Sequence, residues 1–111
     1  MRKHYLLFLS NPVDGREDEY NKWYADTHLH DVVKIPGFVS AQRFELSEAQ
    51  MQDEIVYRYL AIYEIETDDI KSAIDALGQA RNDSMVMSSA LDLTNIQSWV
   101  FTPMSDKVFS K

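Results

Sequence analysis

The sequence has no cysteine, only three glycines and no run of lysine or arginine. The first absence excludes disulfides, thiolate chemistry and cysteine-based zinc or iron–sulfur sites, and it is compatible with a reduced, cytoplasmic setting. So few glycines leave little room for a phosphate-cradling loop or a dinucleotide fingerprint, and no Gly-x-Ser-x-Gly elbow is present. Eighteen acidic residues stand against eleven basic ones, a formal net charge of −7, so neither nucleic acid nor an anionic membrane is an expected partner. No apolar run reaches membrane-spanning length. The opening MRKHYLLFLSNP has the basic start of a secretion signal. Its apolar stretch is shorter than a signal core, however, and it breaks at Ser10-Asn11-Pro12, so it reads as a first strand.

What is present suits one globular domain over residues 1–111, with 45% hydrophobic residues. His4 to Leu9 is apolar on both sides and predicts a strand covered on both faces. Asp14 followed by Glu17 resembles a capping box, and the acids Glu17, Asp18 and Glu19 favour a helix starting near Arg16. Its inward stripe is Tyr20, Trp23, Tyr24, Thr27, His28, Asp31 and Val32, and Ile35-Pro36-Gly37 ends it. Phe38 to Leu46 alternates as a second strand, with Phe38, Ser40, Gln42 and Phe44 on one face and Val39, Ala41, Arg43 and Glu45 on the other. Ile55 to Ile65 reads as a third strand. Thr67-Asp68-Asp69 caps a second helix with the stripe Ile70, Ala73, Ile74 and Leu77, closed by Gly78. Gln79 to Thr94 shows no clear period, and Asn95 to Thr102 alternates as a fourth strand.

The order β-α-β-β-α-β predicts an α+β, ferredoxin-like antiparallel sheet with two helices on one face. Strands one, three and four carry apolar residues on both sides. Two short helices cannot cover all of them, which predicts a homodimer joined through the open face.

Two of the three histidines lie in WYADTHLHDVVKIPGF, Trp23 to Phe38. At about 100° per residue, His28 and His30 fall on opposite margins of the helix stripe. With no third His or Cys nearby, no metal is expected there. Proton transfer asks for less: one imidazole at the edge of an aromatic-lined cleft, held by a carboxylate or a carbonyl, takes and returns a proton near neutral pH. Asp31, three residues from His28, is within reach on the same face. The plainer readings stay open beside this one. His28 can be a half-buried residue satisfied by a neighbour, the Tyr20, Trp23 and Tyr24 stripe can be core, and Met85 and Met87 can be gap-fillers. Arg43 either orients a carboxylate or lies on the surface.

At Trp23-Tyr24, His28-Leu29, Asp31-Val32, Pro36-Gly37-Phe38 and Arg43-Phe44 the chain resembles the EthD-like branch of the dimeric α+β barrel superfamily, whose signature is WY-x3-HL-x-DV-x3-PGF-x4-RF. An NP-x-x-GRE turn precedes it, as at Asn11, Pro12, Gly15, Arg16 and Glu17. The resemblance covers essentially the whole chain in element order. It implies a ferredoxin-like protomer that dimerises sheet to sheet, with a small-molecule cavity between sheet and helices and, in most relatives, no metal or organic cofactor. The family histidine maps onto His28. His30 is a departure, since relatives often have proline there; a proline would start a fresh turn, and with His30 the helix can run on.

The leading functional expectation is a cofactor-independent enzyme of the isomerase, cyclase or lyase type, acting by proton transfer on an aromatic or lactone-like metabolite, with a place in aromatic compound catabolism. His28 is the candidate general acid/base with Asp31 beside it, and Tyr20, Trp23, Tyr24, His30, Arg43 and Trp99 are the candidate binding residues. The alternatives are a non-catalytic protein that binds a hydrophobic metabolite or assists an oxygenase, and a cofactor-free quinol monooxygenase.

Overall fold

Alternation along the first strand decides which side of the sheet the helices cover. In a computed structural model describing residues 1–111, β1 (Arg2–Ser10) buries His4, Leu6, Phe8 and Ser10 and leaves Tyr5, Leu7 and Leu9 half-buried. The remaining strands are β2 (Phe38–Glu45), β3 (Tyr59–Thr67) and β4 (Gln97–Phe101). They form one antiparallel sheet in the order β2-β3-β1-β4. Register carries the alternation across it: Leu6 faces Tyr63 and Val100, while Leu7 faces Ile62 and Trp99. The helix-side face therefore holds Leu6, Phe8, Ala61, Tyr63 and Ile65, all buried.

The first helical segment runs as α1 (Glu17–Trp23), a π-helical turn over Tyr24–His28, and α2 (Leu29–Val32). The expected capping box is not formed. Arg16 is the N-cap residue with no side-chain cap, and its guanidinium instead reaches Glu19 and the carbonyl and hydroxyl of Ser89. α3 (Ile70–Asp83) begins as expected, with the Asp69 carboxylate accepting from the Ser72 N–H. Gly78 does not close it: the helix continues to Asp83, because nothing near Gly78 disturbs a helical backbone and Leu77 and Ala80 still pack inward.

Two strand expectations need correction. A bulge between Phe38 and Ser40 shifts the alternation of β2, so buried Phe38 shares the helix side with Ala41, Arg43 and Glu45, while Phe44 faces the open side. The third strand starts at Tyr59 rather than Ile55; Ile55 and Val56 are exposed in the connection before it. Gly37, with φ of +92, makes the entry into β2, and its carbonyl accepts from the Glu66 N–H at 2.8 Å. Within the segment that showed no period, Ala90 and Leu91 are fully buried, tied to the turn after β1 by the Val13 N–H to the Ala90 carbonyl at 2.7 Å and by a bridge from Pro12 to Leu91.

Candidate functional site

Tyr20, Tyr24, His28 and Val32 are all buried, at an unbroken spacing of four. In a regular α-helix each such step overshoots a full turn by about 40°, and the series would wind off the core. The π turn absorbs this. Its wider winding is closed by the Leu29 N–H donating to the Tyr24 carbonyl five residues back, and it returns His28 and Val32 to the inward side. His28 therefore leaves the margin of the stripe that straight-helix geometry assigns it and is 2% exposed.

The His28 ring stacks on Trp23 at 4.5 Å between centroids and meets the Tyr24 ring edge-on at 5.2 Å. Trp23 is fixed in turn, because its indole N–H donates to the Val86 carbonyl at 2.8 Å. The His28 Nδ1 is buried with no hydrogen-bond partner, and the same holds for the Tyr63 hydroxyl on the sheet below. Burial, then the Arg81 guanidinium, pull the His28 pKa down to about 4 against a weak opposing pull from Asp31. The ring is thus neutral at physiological pH. Burial pushes the Tyr24 hydroxyl up to about 12 and pushes Tyr63 up as well, so both stay protonated and able to donate.

Arg43 enters from β2. Its guanidinium lies 4.4 Å from the Tyr24 ring centroid, 5.1 Å from Tyr59 and 5.2 Å from Tyr20, and it donates to the Asn21 side-chain carbonyl at 2.9 Å. The Tyr20 and Ser10 hydroxyls share a buried hydrogen bond of 2.6 Å. Tyr59 donates to Glu17 at 2.6 Å, closing the polar edge of this cage.

The structure thus brings together Tyr20, Trp23, Tyr24, His28 and Arg43, and it leaves three expected residues outside. Asp31 does not hold His28; its carboxylate lies 3.6 Å from the Lys34 ammonium, since the π turn rotates His28 inward and leaves Asp31 half-exposed. His30 is exposed. Trp99 pairs with Leu7 and lies on the open side of the sheet, 54% exposed, so it cannot line a space between sheet and helices. The aromatic stripe is packed as core and fills that space instead of lining an open cavity. A cleft of about 410 Å³ opens beside it between α2 and α3, walled by Asp31, Ile35, Ala80 and Met85 among others. A further cleft of about 250 Å³ lies over Arg43, Asn21 and Tyr59. No three His, Cys, Asp or Glu side chains gather where they could hold a metal ion.

Two residues of the site escaped the sequence reading. Tyr63 sits on the alternating strand pattern that announced β3, where its hydroxyl carries no signal. Arg81 follows Ala73 and Leu77 at steps of four on the buried stripe of α3, a spacing that could have shown it pointing inward; its guanidinium lies 4.7 Å from the Phe8 ring centroid.

The chain matches no protein-family model, and no curated protein is similar to it in sequence. Its fold is shared with solved structures. The heme-degrader MhuD of Mycobacterium tuberculosis, seen with two hemes bound in its active site, aligns with a TM-score of 0.66 at 16% identity over 95% of this chain and 99% of that one. An ethyl tert-butyl ether D (EthD) family protein from Bacillus halodurans aligns with a TM-score of 0.64 at 16% identity over 94% of this chain and 100% of that one. A dimeric ferredoxin-like protein from Jannaschia sp. gives 0.59 at 18% identity, covering 91% and 99%. The fold is that of the EthD-like and other dimeric ferredoxin-like proteins, the one implied by the signature between residues 11 and 44.

Proposed function

We propose that this protein, with the fold of an EthD-like dimeric ferredoxin-like domain, is a small-molecule enzyme that moves a proton on an aromatic or lactone-like metabolite without a cofactor, and that His28 is its general base and acid. The observation that carries this reading is the buried, neutral His28 whose Nδ1 has no partner, set against Trp23 and Tyr24 between sheet and helices. A neutral imidazole accepts the proton removed from the substrate and returns it at another position or to a leaving group. Tyr24 and Tyr63, held protonated, donate to the oxygen that gains charge meanwhile. The rings of Tyr20, Trp23 and Tyr24 pack over the imidazole, so a flat substrate reaches His28 by parting them, with Arg43 at the edge of the cage and Asp31 and His30 outside the reacting centre. The substrate enters through the cleft between α2 and α3, where the pliable side chain of Met85 forms part of the wall.

The protein works as a homodimer in the cytoplasm, paired through the apolar side of the sheet that the helices leave open. Among structures of this fold, one degrades heme, a flat organic molecule held in its active site, and another is a dimeric ferredoxin-like protein. The lack of any carboxylate on His28, together with a pKa pulled down to about 4 by burial, favours one second reading, a protein that binds a hydrophobic metabolite and hands it to a partner oxygenase without chemistry of its own.

Turnover of a panel of aromatic ketones, enol lactones and quinols, followed with simultaneous oxygen measurement, separates these readings. His28→Gln keeps bulk and hydrogen bonding but not proton transfer. It is expected to fold, to bind ligand and to lose roughly a hundredfold or more in rate. Full activity in His28→Gln overturns the proposal, saturable binding without turnover in the wild type supports the binding protein, and oxygen consumption with a quinol supports the monooxygenase.

A further inference from the structure

Two arginines point into the space between sheet and helices, and they are held differently. Arg43 is sandwiched by three tyrosine rings, donates to Asn21 through one terminal nitrogen while its Nε is buried without a partner, and has Glu45 two residues along on the same strand face. Arg81 rests on the face of Phe8 and makes no hydrogen bond or ion pair with any residue. The other two arginines that bracket the first helix do have carboxylate partners, Arg16 with Glu19 and Arg58 with Glu17. A half-buried guanidinium on an apolar ring, in a chain of net charge −7, could readily have been given an acid. None is there.

Two further polar groups between sheet and helices are also without partners. The His28 Nδ1 and the Tyr63 hydroxyl are buried, with residue exposures of 2% and 1%, and neither makes a hydrogen bond. The Arg81 charge adds to the burial that lowers the His28 pKa and weakly opposes the burial that raises those of Tyr24 and Tyr63. The same side is open above the sheet edge, since Ser98 and Val100 on the helix side of β4 are exposed, Val100 to 39%. Phe8, directly under the guanidinium, lies between that edge and Ala61, with Tyr63 two residues along β3 on the same face.

We propose that the ligand of this site is an aromatic acid and that Arg81 is the residue that binds its carboxylate, with the ring of the ligand directed toward His28 and Tyr63. This rests on the reading that the packed space between sheet and helices is the ligand site and opens to admit the ligand. A carboxylate accepts two parallel N–H bonds from a guanidinium, a geometry that a neutral ligand of the same shape cannot use. Pairing also offsets the Arg81 charge beside His28. The groups facing His28 are then the bound anion and Arg81 from α3, Asp31 on its own helix and the neutral Tyr24, so the imidazole becomes a stronger base when substrate is present than when it is absent.

Benzoate and its neutral isostere benzamide test this on the full-length protein. Binding is followed by calorimetry, and the His28 ring by NMR titration. The wild type is expected to bind benzoate saturably at millimolar concentration and benzamide on the order of tenfold more weakly, and benzoate is expected to raise the His28 pKa. Arg81→Gln is expected to bind benzoate and benzamide alike, to lose the benzoate-induced shift, and to start from a higher His28 pKa without ligand. Arg81→Lys, which keeps the charge but not the fork, recovers part of the preference. Equal binding of benzoate and benzamide by the wild type, undiminished benzoate binding in Arg81→Gln, or no saturable benzoate binding at all overturns the proposal. His28→Gln distinguishes this from the proton-transfer reading: normal benzoate binding together with full turnover removes the base and leaves the acid-binding arginine standing.

Discussion

The two faces of one sheet carry similar side chains and end in opposite conditions. On the helix side, Leu6, Phe8, Tyr63 and Ile65 are at most 7% exposed. On the other, Leu7, Leu9, Leu60 and Ile62 are only half-buried, while Phe44, Trp99 and Phe101 are 40%, 54% and 59% exposed. The covered side also keeps buried polar atoms without partners, at His28, Arg43 and Tyr63, where most buried polar groups are hydrogen-bonded. The open side has the reverse property, apolar surface with nothing over it. The difference teaches that covering by helices, and not side-chain type, separates the two faces; under the proposed function the covered one carries the chemistry and the open one meets a second copy of the chain.

The largest expected effect comes from putting charge on the open face. Ile62 sits at the centre of that face, between Leu7 and Gln42. Ile62→Lys is expected to turn a dimer into a folded monomer at micromolar concentration, read by light scattering and circular dichroism, since an unpaired ammonium cannot be buried between two sheets. If the variant stays dimeric, the open face is not the interface. On the covered face, Leu6→Ala is expected to cost about 2–5 kcal/mol in urea unfolding. In the Ile62→Lys monomer, where nothing lies over Leu7, Leu7→Ala is expected to cost less than half of that. Equal losses would erase the contrast between the faces.

A smaller effect belongs to His28 itself. Its folded pKa of about 4 lies below the ordinary imidazole value of 6.5, so above that value neither folded nor unfolded chain carries the proton. Between about 6.5 and 4 the unfolded chain takes up a proton that the folded one refuses. Stability is therefore expected to fall with pH across that window, by at most about 1.4 kcal/mol per pH unit from this group, and to level off below it. Urea midpoints measured against pH check this: the slope should be lost in His28→Gln, and an unchanged slope places the proton elsewhere. The smallest effect is expected at exposed His30, where His30→Gln should leave both stability, within about 0.5 kcal/mol, and turnover unchanged.

Much of this was legible in the chain. Period-two and helical patterning yielded the element order, the open sheet face and the capped start of α3, because side-chain alternation and local hydrogen bonds follow from neighbouring residues alone. The grouping of Tyr20, Trp23, Tyr24 and His28 on one helix was likewise a local property. Other features depended on contacts between distant residues. The π turn that buries His28 and strands Asp31 is a small change in winding that only pays when Tyr24, His28 and Val32 pack together on the core. The bulge after Phe38 moves Phe44 to the open face, and the antiparallel register with β1 puts Trp99 there too. Arg81 comes to His28 from more than fifty residues along the chain. Sequence determined which residues are apolar, aromatic or ionisable and the local elements that carry them; tertiary packing decided which of those ionisable groups share one water-poor space, because burial and charge proximity are set by elements meeting rather than by spacing along the chain.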